Sequence, residues 1–334
     1  MIESDQDAGV MGRRELLAGA AAAMAMAGGA RAQSPSVDNL PIVDSHIHLF
    51  DGSRPQGAPY LGSKAYRAQS HISLPSGYRP LALPTGIVGA VVVEASSWVE
   101  DNLWLLEVAQ ADPIILGVAG NLNPAKPEFA EYLGRFSKNP LYRGIRFSRF
   151  YNAAPDGAIA LDADMTARLR LLAEADLVLD TANPTMNLLQ ANLLLSQAIP
   201  NLRIIVDHLP SFDPTPEVTP AYQDLIKRLV DRPNIFVKLT EVYHPRDDNG
   251  VIVKDYETLR QRLEYLYGAF GEDRVMFGTD YPNSYGVATI PEEVGLMKRF
   301  FADKSRSAAE KYFWKNSAKI YKWKKRTESQ PSLA

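Results

Sequence analysis

Pro41-Ile42-Val43-Asp44-Ser45-His46-Ile47-His48 reads as a β-strand with chemistry at its end. Ile42 and Val43 favour extended backbone, and Pro41 suits the start of a strand but not its middle. Side chains alternate along a strand, so Asp44, His46 and His48 are expected on one face. Two imidazoles two residues apart on that face would converge on a metal ion or on an anionic substrate. By itself the octapeptide is equally compatible with two of the five histidines meeting by accident on a loop. The rest of the chain decides.

Downstream, Gly86–Glu94 is a nearly unbroken apolar run of strand length, and similar runs recur at Pro113–Gly120, Arg143–Phe147, Leu177–Asp180, Leu202–Asp207, Asn234–Leu239 and Arg274–Phe277. Uninterrupted β-branched runs suit strands buried on both faces, as in a parallel sheet. With the opening strand they make eight. Most are separated by segments with apolar spacing of three and four, at Leu103–Ala109, Phe129–Phe136, Met165–Ala173, Leu188–Ala198, Tyr222–Val230 and Leu259–Phe270. Alternating strands and helices predict βαβ units, and eight of them predict an α/β fold of the closed (β/α)8 TIM-barrel type in one domain. A doubly wound open sheet is the alternative, but it would bring a glycine-rich turn where His46-Ile47-His48 stands. A long loop, Phe50 to about Pro84, follows the first strand; it reads as a lid or as a plain surface excursion.

In a barrel, chemistry gathers at the C-terminal ends of the strands. Those ends carry His46 and His48, then Glu94, Asn121, Arg146 with Arg149, Asp180 with Asn183, and His208. Lys238 and Glu241 follow, with His244 beyond, and the last strand closes on Gly278-Thr279-Asp280-Tyr281-Pro282. Ionisable groups are costly to bury without partners, so their presence at nearly every strand end points to a shared site. Tyr60, Tyr66, Trp98, Tyr281 and Tyr285 fall on loops at the same rim, where they would stack on sugar-like rings or pack the loops down. His71, in the long loop, reads as a surface histidine.

In order along residues 41 to 323, the motifs Val43-Asp44-Ser45-His46-Ile47-His48, Arg143-Gly144-Ile145-Arg146, Val206-Asp207-His208-Leu209-Pro210, Phe236-Val237-Lys238-Leu239 and Met276-Phe277-Gly278-Thr279-Asp280-Tyr281-Pro282 resemble the amidohydrolase superfamily. Within it they are similar to the branch of lactonases and related hydrolases known as amidohydrolase family 2. The closing Asn316-Ser317-Ala318-Lys319-Ile320-Tyr321 resembles that branch's last helix. The resemblance implies that His46 and His48 face a divalent metal, zinc, with Asp280 as a further ligand or as the base that activates water. It implies that His208 is a ligand or an oxyanion donor, and that Arg146 and Lys238 hold a substrate carboxylate or hydroxyls. Asn183, Glu94 and Tyr281 complete the candidate substrate-binding set. Salt bridges of Arg146 and Lys238 with Glu94 or Glu241 are the structural alternative.

One departure bears on the metal. Superfamily members often place a histidine after the fifth strand, whereas this chain has Val178-Leu179-Asp180-Thr181-Ala182-Asn183. Asp180 or Glu94 would replace the missing ligand, or the reaction would run without a metal, as it does in some lactonases of the branch.

Before the first strand, Gly12-Arg13-Arg14-Glu15-Leu16-Leu17, an Ala/Met/Gly run to Gly29 and Ala30-Arg31-Ala32 have the parts of a twin-arginine export signal over residues 1–32. The run is too short and too rich in small residues to favour a membrane anchor. The expected layout is a leader 1–32, a linker 33–40, the barrel 41–323 and a tail 324–334. Such a leader implies the twin-arginine export machinery as a partner and a bacterial periplasmic or secreted product. Its removal takes three Arg and four Asp/Glu from totals of 36 and 39, leaving 33 basic against 35 acidic residues. That balance gives no general attraction to nucleic acid. Zero cysteines exclude disulfides, a thiol nucleophile and thiolate ligands.

The leading expectation is a hydrolase that opens a lactone, of a sugar acid or of aromatic catabolism, with Asp280 as base. A metal-dependent decarboxylase of an aromatic or unsaturated acid, and an inert exported barrel that binds a sugar acid, are the alternatives.

Overall fold

The structure, a computed structural model, describes residues 37–59, 71–212, 219–243 and 250–333. The expected leader, and the positions of Tyr60, Tyr66 and His244, lie outside the described residues.

Eight strands hydrogen-bond in chain order, β1 (Ile42–Ile47), β2 (Ile87–Val93), β3 (Ile115–Gly120), β4 (Tyr142–Arg146), β5 (Val178–Thr181), β6 (Arg203–Val206), β7 (Ile235–Lys238) and β8 (Val275–Met276). Every neighbouring pair is parallel. The last strand returns to the first: Ser45 N donates to Phe277 O at 3.0 Å, Asp280 N to His46 O at 2.9 Å and His48 N to Tyr281 O at 2.7 Å. That return makes a (β/α)8 barrel and sets aside the open sheet. The strands read as continuous apolar runs because both faces are covered. One face meets the helices through Ile42, Val92, Leu179 and Val206, and the other fills the barrel with Val43, Val91, Leu116, Ile205 and Met276.

The surrounding helices are α1 (Pro75–Ala82), α2 (Asp101–Ala111), α3 (Phe129–Phe136), α4 (Ala163–Glu174), α5 (Met186–Ala198), α6 (Pro220–Val230), α7 (Tyr256–Phe270) and α8 (Ile290–Phe301). Two of them carry signals of a different kind from apolar periodicity. The long connection after β1 ends in α1, which starts on a proline and contains Gly77 and Pro80. Those residues erase its propensity, yet burial of Tyr78 and Ala82 holds it on the barrel. Helix α8 opens with a capping box, Thr289 and Glu292 exchanging side-chain and backbone hydrogen bonds.

The barrel floor is closed by the C-terminal chain. A helical run, Arg306–Glu310, a π-turn Lys311–Lys315 and Asn316–Tyr321, sends Trp314, Ala318, Tyr321 and Trp323 into the interior apolar cluster. At the π-turn, Tyr312 O accepts from Phe277 N at 3.1 Å, so the run also extends the ladder of the short β8. Beyond it, Arg326 donates to the carbonyls of Ala109, Gln110, Asp112 and Ile115. Gln330 Nε2 donates to Val88 O at 3.0 Å and Pro113 O at 2.8 Å.

Candidate active site

The end of β1 departs from strict alternation. A register shift lies between Asp44 and Ile47, so Asp44 does not share the face of His46 and His48. Its carboxylate instead accepts Tyr78 OH at 2.8 Å, Thr279 Oγ1 at 2.6 Å and Thr279 N at 2.9 Å. Asp44 therefore ties β1 to α1 and to the chain after β8. Gly278 permits the close approach, because a Cβ there would stand 2.9 Å from both His46 Cβ and Thr240 Cγ2.

His48 Nδ1 lies 3.0 Å from Val93 O. A carbonyl only accepts, so Nδ1 carries the proton and Nε2 presents a lone pair. That lone pair faces Asp280 Oδ1 at 3.0 Å and His46 Nε2 at 3.3 Å. Burial, then the Arg146 charge, depresses the His48 imidazole to about 3. Burial and the Lys238 charge lower His46 well below its ordinary value. Both rings are neutral at neutral pH. His208 completes the group, its Nδ1 2.7 Å from Thr240 Oγ1 and its Nε2 3.8 Å from Asp280 Oδ1.

Asp280 is fully buried, and burial pushes its carboxyl up to about 7 despite hydrogen bonding to Glu241 and Asn283. It is one of four residues at successive strand ends with left-handed backbone: Asn183 (φ 59°), His208 (57°), Glu241 (54°) and Asp280 (54°). Such conformations cost about 1–3 kcal/mol each outside glycine and persist where the surroundings impose them.

Lys238 does not reach the mouth. Its Nζ is fully buried, 2.9 Å from Asp180 Oδ2, 2.9 Å from Asp207 Oδ1 and 3.2 Å from His46 Nδ1. Fully buried and enclosed by these three groups, Nζ does not face a substrate, and Lys238 stands as a barrel-lining ion pair. Its partners are Asp180 and Asp207 and not the Glu94 or Glu241 of the structural alternative, whereas Arg146 does pair with Glu94. The Asp207 contact is electrostatic, since neither of that residue's carboxylate oxygens has an aligned donor. Asp180, pushed up to about 6 by burial, also accepts Tyr321 OH at 2.6 Å. Asp180 thus serves Lys238 and is not a substitute for the missing histidine. Glu94 is not one either, because its Oε1 accepts Arg146 Nε at 2.9 Å.

Beside the histidines opens a cavity of about 680 Å3 whose wall includes Glu94, Asn121, Arg146, Ser148, Arg149 and Asn183. Arg146 joins it to the cluster, with Nη1 3.5 Å from His46 Nε2. Tyr281 is not on this wall; its ring packs between Tyr78 and Tyr285, at centroid distances of 5.3 and 5.9 Å. His71 is exposed. Asp207 has no role in the sequence reading and Glu241 enters it only as a salt-bridge partner, although both stand at strand ends. Their partners come from other strands, which spacing along one strand does not reveal.

The cluster fits a divalent ion. His46 Nε2, His48 Nε2 and Asp280 Oδ1 are separated by 3.3, 3.0 and 3.6 Å, and a tetrahedral ion with bonds of about 2.0–2.1 Å sets ligands about 3.3–3.4 Å apart. Two acceptors as close as His48 Nε2 and Asp280 Oδ1 need a proton or a cation between them. His46 adds a condition. In the present arrangement Lys238 donates to Nδ1, leaving the proton on Nε2. An ion at Nε2 requires that proton to move to Nδ1, where Asp207 Oδ1 lies 3.7 Å away.

The L-fucono-1,5-lactonase of Burkholderia multivorans is 24% identical over 292 residues, 83% of this chain and 94% of that protein. An amidohydrolase from Burkholderia multivorans, crystallised with bound zinc, superposes with a TM-score of 0.73 at 22% identity, covering 85% of this chain and all of that one. A probable 2-pyrone-4,6-dicarboxylic acid hydrolase from Acinetobacter baumannii, with citric acid bound, gives 0.67 at 16% identity over 85% of this chain and all of its own. At these identities the superpositions establish the fold. Residues 43–323, from β1 through the C-terminal helical run, match the amidohydrolase family model, and the chain belongs to the amidohydrolase family.

Proposed function

We propose that the protein hydrolyses a lactone, of a sugar acid or of aromatic catabolism, with Asp280 as the base that activates water. The observation that carries this reading is a buried carboxyl pushed up to about 7 amid three imidazoles, next to a cavity that carries Glu94, Asn121, Arg146 and Asn183 on its wall. A base with such a pKa is suited to proton transfer near neutral pH. The relatives named for a fuconolactone and for a pyrone-dicarboxylic acid both support a cyclic ester.

Asp280 takes a proton from water as the water oxygen bonds to the carbonyl carbon. The carbonyl π electrons move onto oxygen, where His46 Nε2–H and Arg146 Nη1, 3.5 Å apart, converge as donors. The ring C–O bond then breaks, and the alkoxide takes the proton from Asp280. Lys238 holds His46 in the donor tautomer, and His208 borders Asp280 on its other side. His46, His48 and Asp280 would hold a divalent ion, which would take the place of the His46 Nε2 proton and supply Lewis acidity to the carbonyl and to water. Arg146 and Asn183, both on the cavity wall, bind substrate oxygens.

A decarboxylase of aromatic acids would favour an aromatic pocket, and among the described residues Phe147 is the only aromatic on this cavity wall. The test is a panel of lactones read with a pH indicator. Asp280→Asn is expected to lower kcat by about 10²–10⁴-fold, the range for loss of a general base. Full activity in that variant would refute the role of Asp280. An inert binder would turn over nothing and keep its ligand affinity in the variant.

A further inference from the structure

A second cavity, of about 450 Å3, adjoins the first. The two have Ser97, Asn121 and Asn123 in common. Their shared wall is built rigidly from beneath. Asn102, 1% exposed, accepts Asn121 N at 2.9 Å through Oδ1 and donates to Asn121 O and Val99 O at 2.8 Å through Nδ2. Gly120 makes room for it, since a Cβ there would stand 1.9 Å from Asn102 Oδ1. The loop after β2 and the loop after β3 are thereby clamped together, with Asn121 on the wall of both cavities.

The second cavity carries more aromatic side chains than the first, whose wall has Phe147 alone among the described residues. Trp98 and Tyr132 are on its wall, with Glu100, Lys126 and Glu128 around them. Trp98, 37% exposed, is the only aromatic among the exposed large apolar side chains of the described residues. Tyr132 is held in place, stacked on Phe136 at 6.0 Å with Arg135 on its ring at 5.8 Å. An exposed indole beside charged side chains suits a ring with an apolar face and hydroxyl edges. Clefts for drug-sized ligands run to about 300–1,000 Å3, and the two cavities together exceed what one small ring fills.

We propose that the loops after β2 and β3 form a second ring subsite, so that the substrate is a two-ring sugar acid, a glycosyl-substituted lactone. The lactone ring occupies the cavity beside Arg146 and Asn183, and the second ring stacks on Trp98. This rests on the lactonase reading for the identity of the first ring.

The test is calorimetric titration of the full chain with lactobionate, an open two-ring acid, and with gluconate, its one-ring counterpart. The wild type is expected to bind lactobionate at least fivefold more tightly. Trp98→Ala is expected to reduce that ratio to below twofold, and Trp98→Phe to retain most of it. Equal affinities in the wild type, a ratio unmoved by Trp98→Ala, or no binding of lactobionate would overturn the subsite. Absence of lactone turnover with the binding ratio intact would count against the lactonase reading and support the subsite. Turnover of one-ring lactones with no binding preference would do the reverse.

Discussion

The burial that suits Asp280 to the proposed role of base also makes its ionised form unfavourable for folding. Its unfolded value is 3.8 and burial raises it to about 7, so the folded state favours the protonated form. As pH rises from about 4 to 7 the unfolded chain has released its proton while the folded chain still holds one, and stability falls across that window. Above 7 the full penalty is present. Asp280→Asn in chelator-treated protein is therefore expected to melt higher than wild type at pH 8, with the gap narrowing toward pH 4. A gap that does not change with pH would show that the carboxyl is not raised. In the wild type, kcat/KM should rise with pH through about 7, following ionisation of the base.

At the scale of elements, the floor supports the mouth. Tyr321, on the last helical segment, donates to Asp180 at 2.6 Å; Asp180 holds Lys238, and Lys238 touches His46. Tyr321→Phe removes one donor from a buried carboxylate and should cost about 1–3 kcal/mol, read from urea unfolding. An unchanged midpoint would mean that Lys238 alone satisfies Asp180. This coupling between β5, β7 and the last helix could not be read from sequence, because it joins Asp180, Lys238 and Tyr321 across the barrel. The eight strands could be, because burial on both faces writes a continuous apolar signature into each run. Helix α1 was hidden by its own Pro75, Gly77 and Pro80, and α8 does not stand among the helical segments that spacing marks, its sequence signal lying instead in the capping pair Thr289 and Glu292. Site residues at strand ends were legible as a set, but a period of two placed Asp44 with the histidines, and the register shift after it moved that carboxylate to Tyr78 and Thr279.

For the molecule as a whole, the residues after the last helix act as a clasp on the floor. Arg326 and Gln330 satisfy carbonyls from α2, the turn before β3 and β2. Deletion of 324–334 leaves those carbonyls without these donors and should lower the melting temperature on the order of 5 °C, measured by circular dichroism, with the active site intact at 25 °C. No change in melting would show that water replaces the clasp at no cost. The mouth is divided as well. The left-handed residues Asn183, His208, Glu241 and Asp280 all follow β5 to β8, whereas Ser97, Asn121, Asn123 and Arg149, which shape the cavities, follow β2 to β4 on ordinary backbone. A mutation on the first group must satisfy an unusual backbone as well as the chemistry, and few side chains do. A mutation on the second group meets no such backbone condition. On the proposed function, substrate range is therefore freer to drift through the three loops after β2 to β4, by natural variation or by library selection, than through those after β5 to β8.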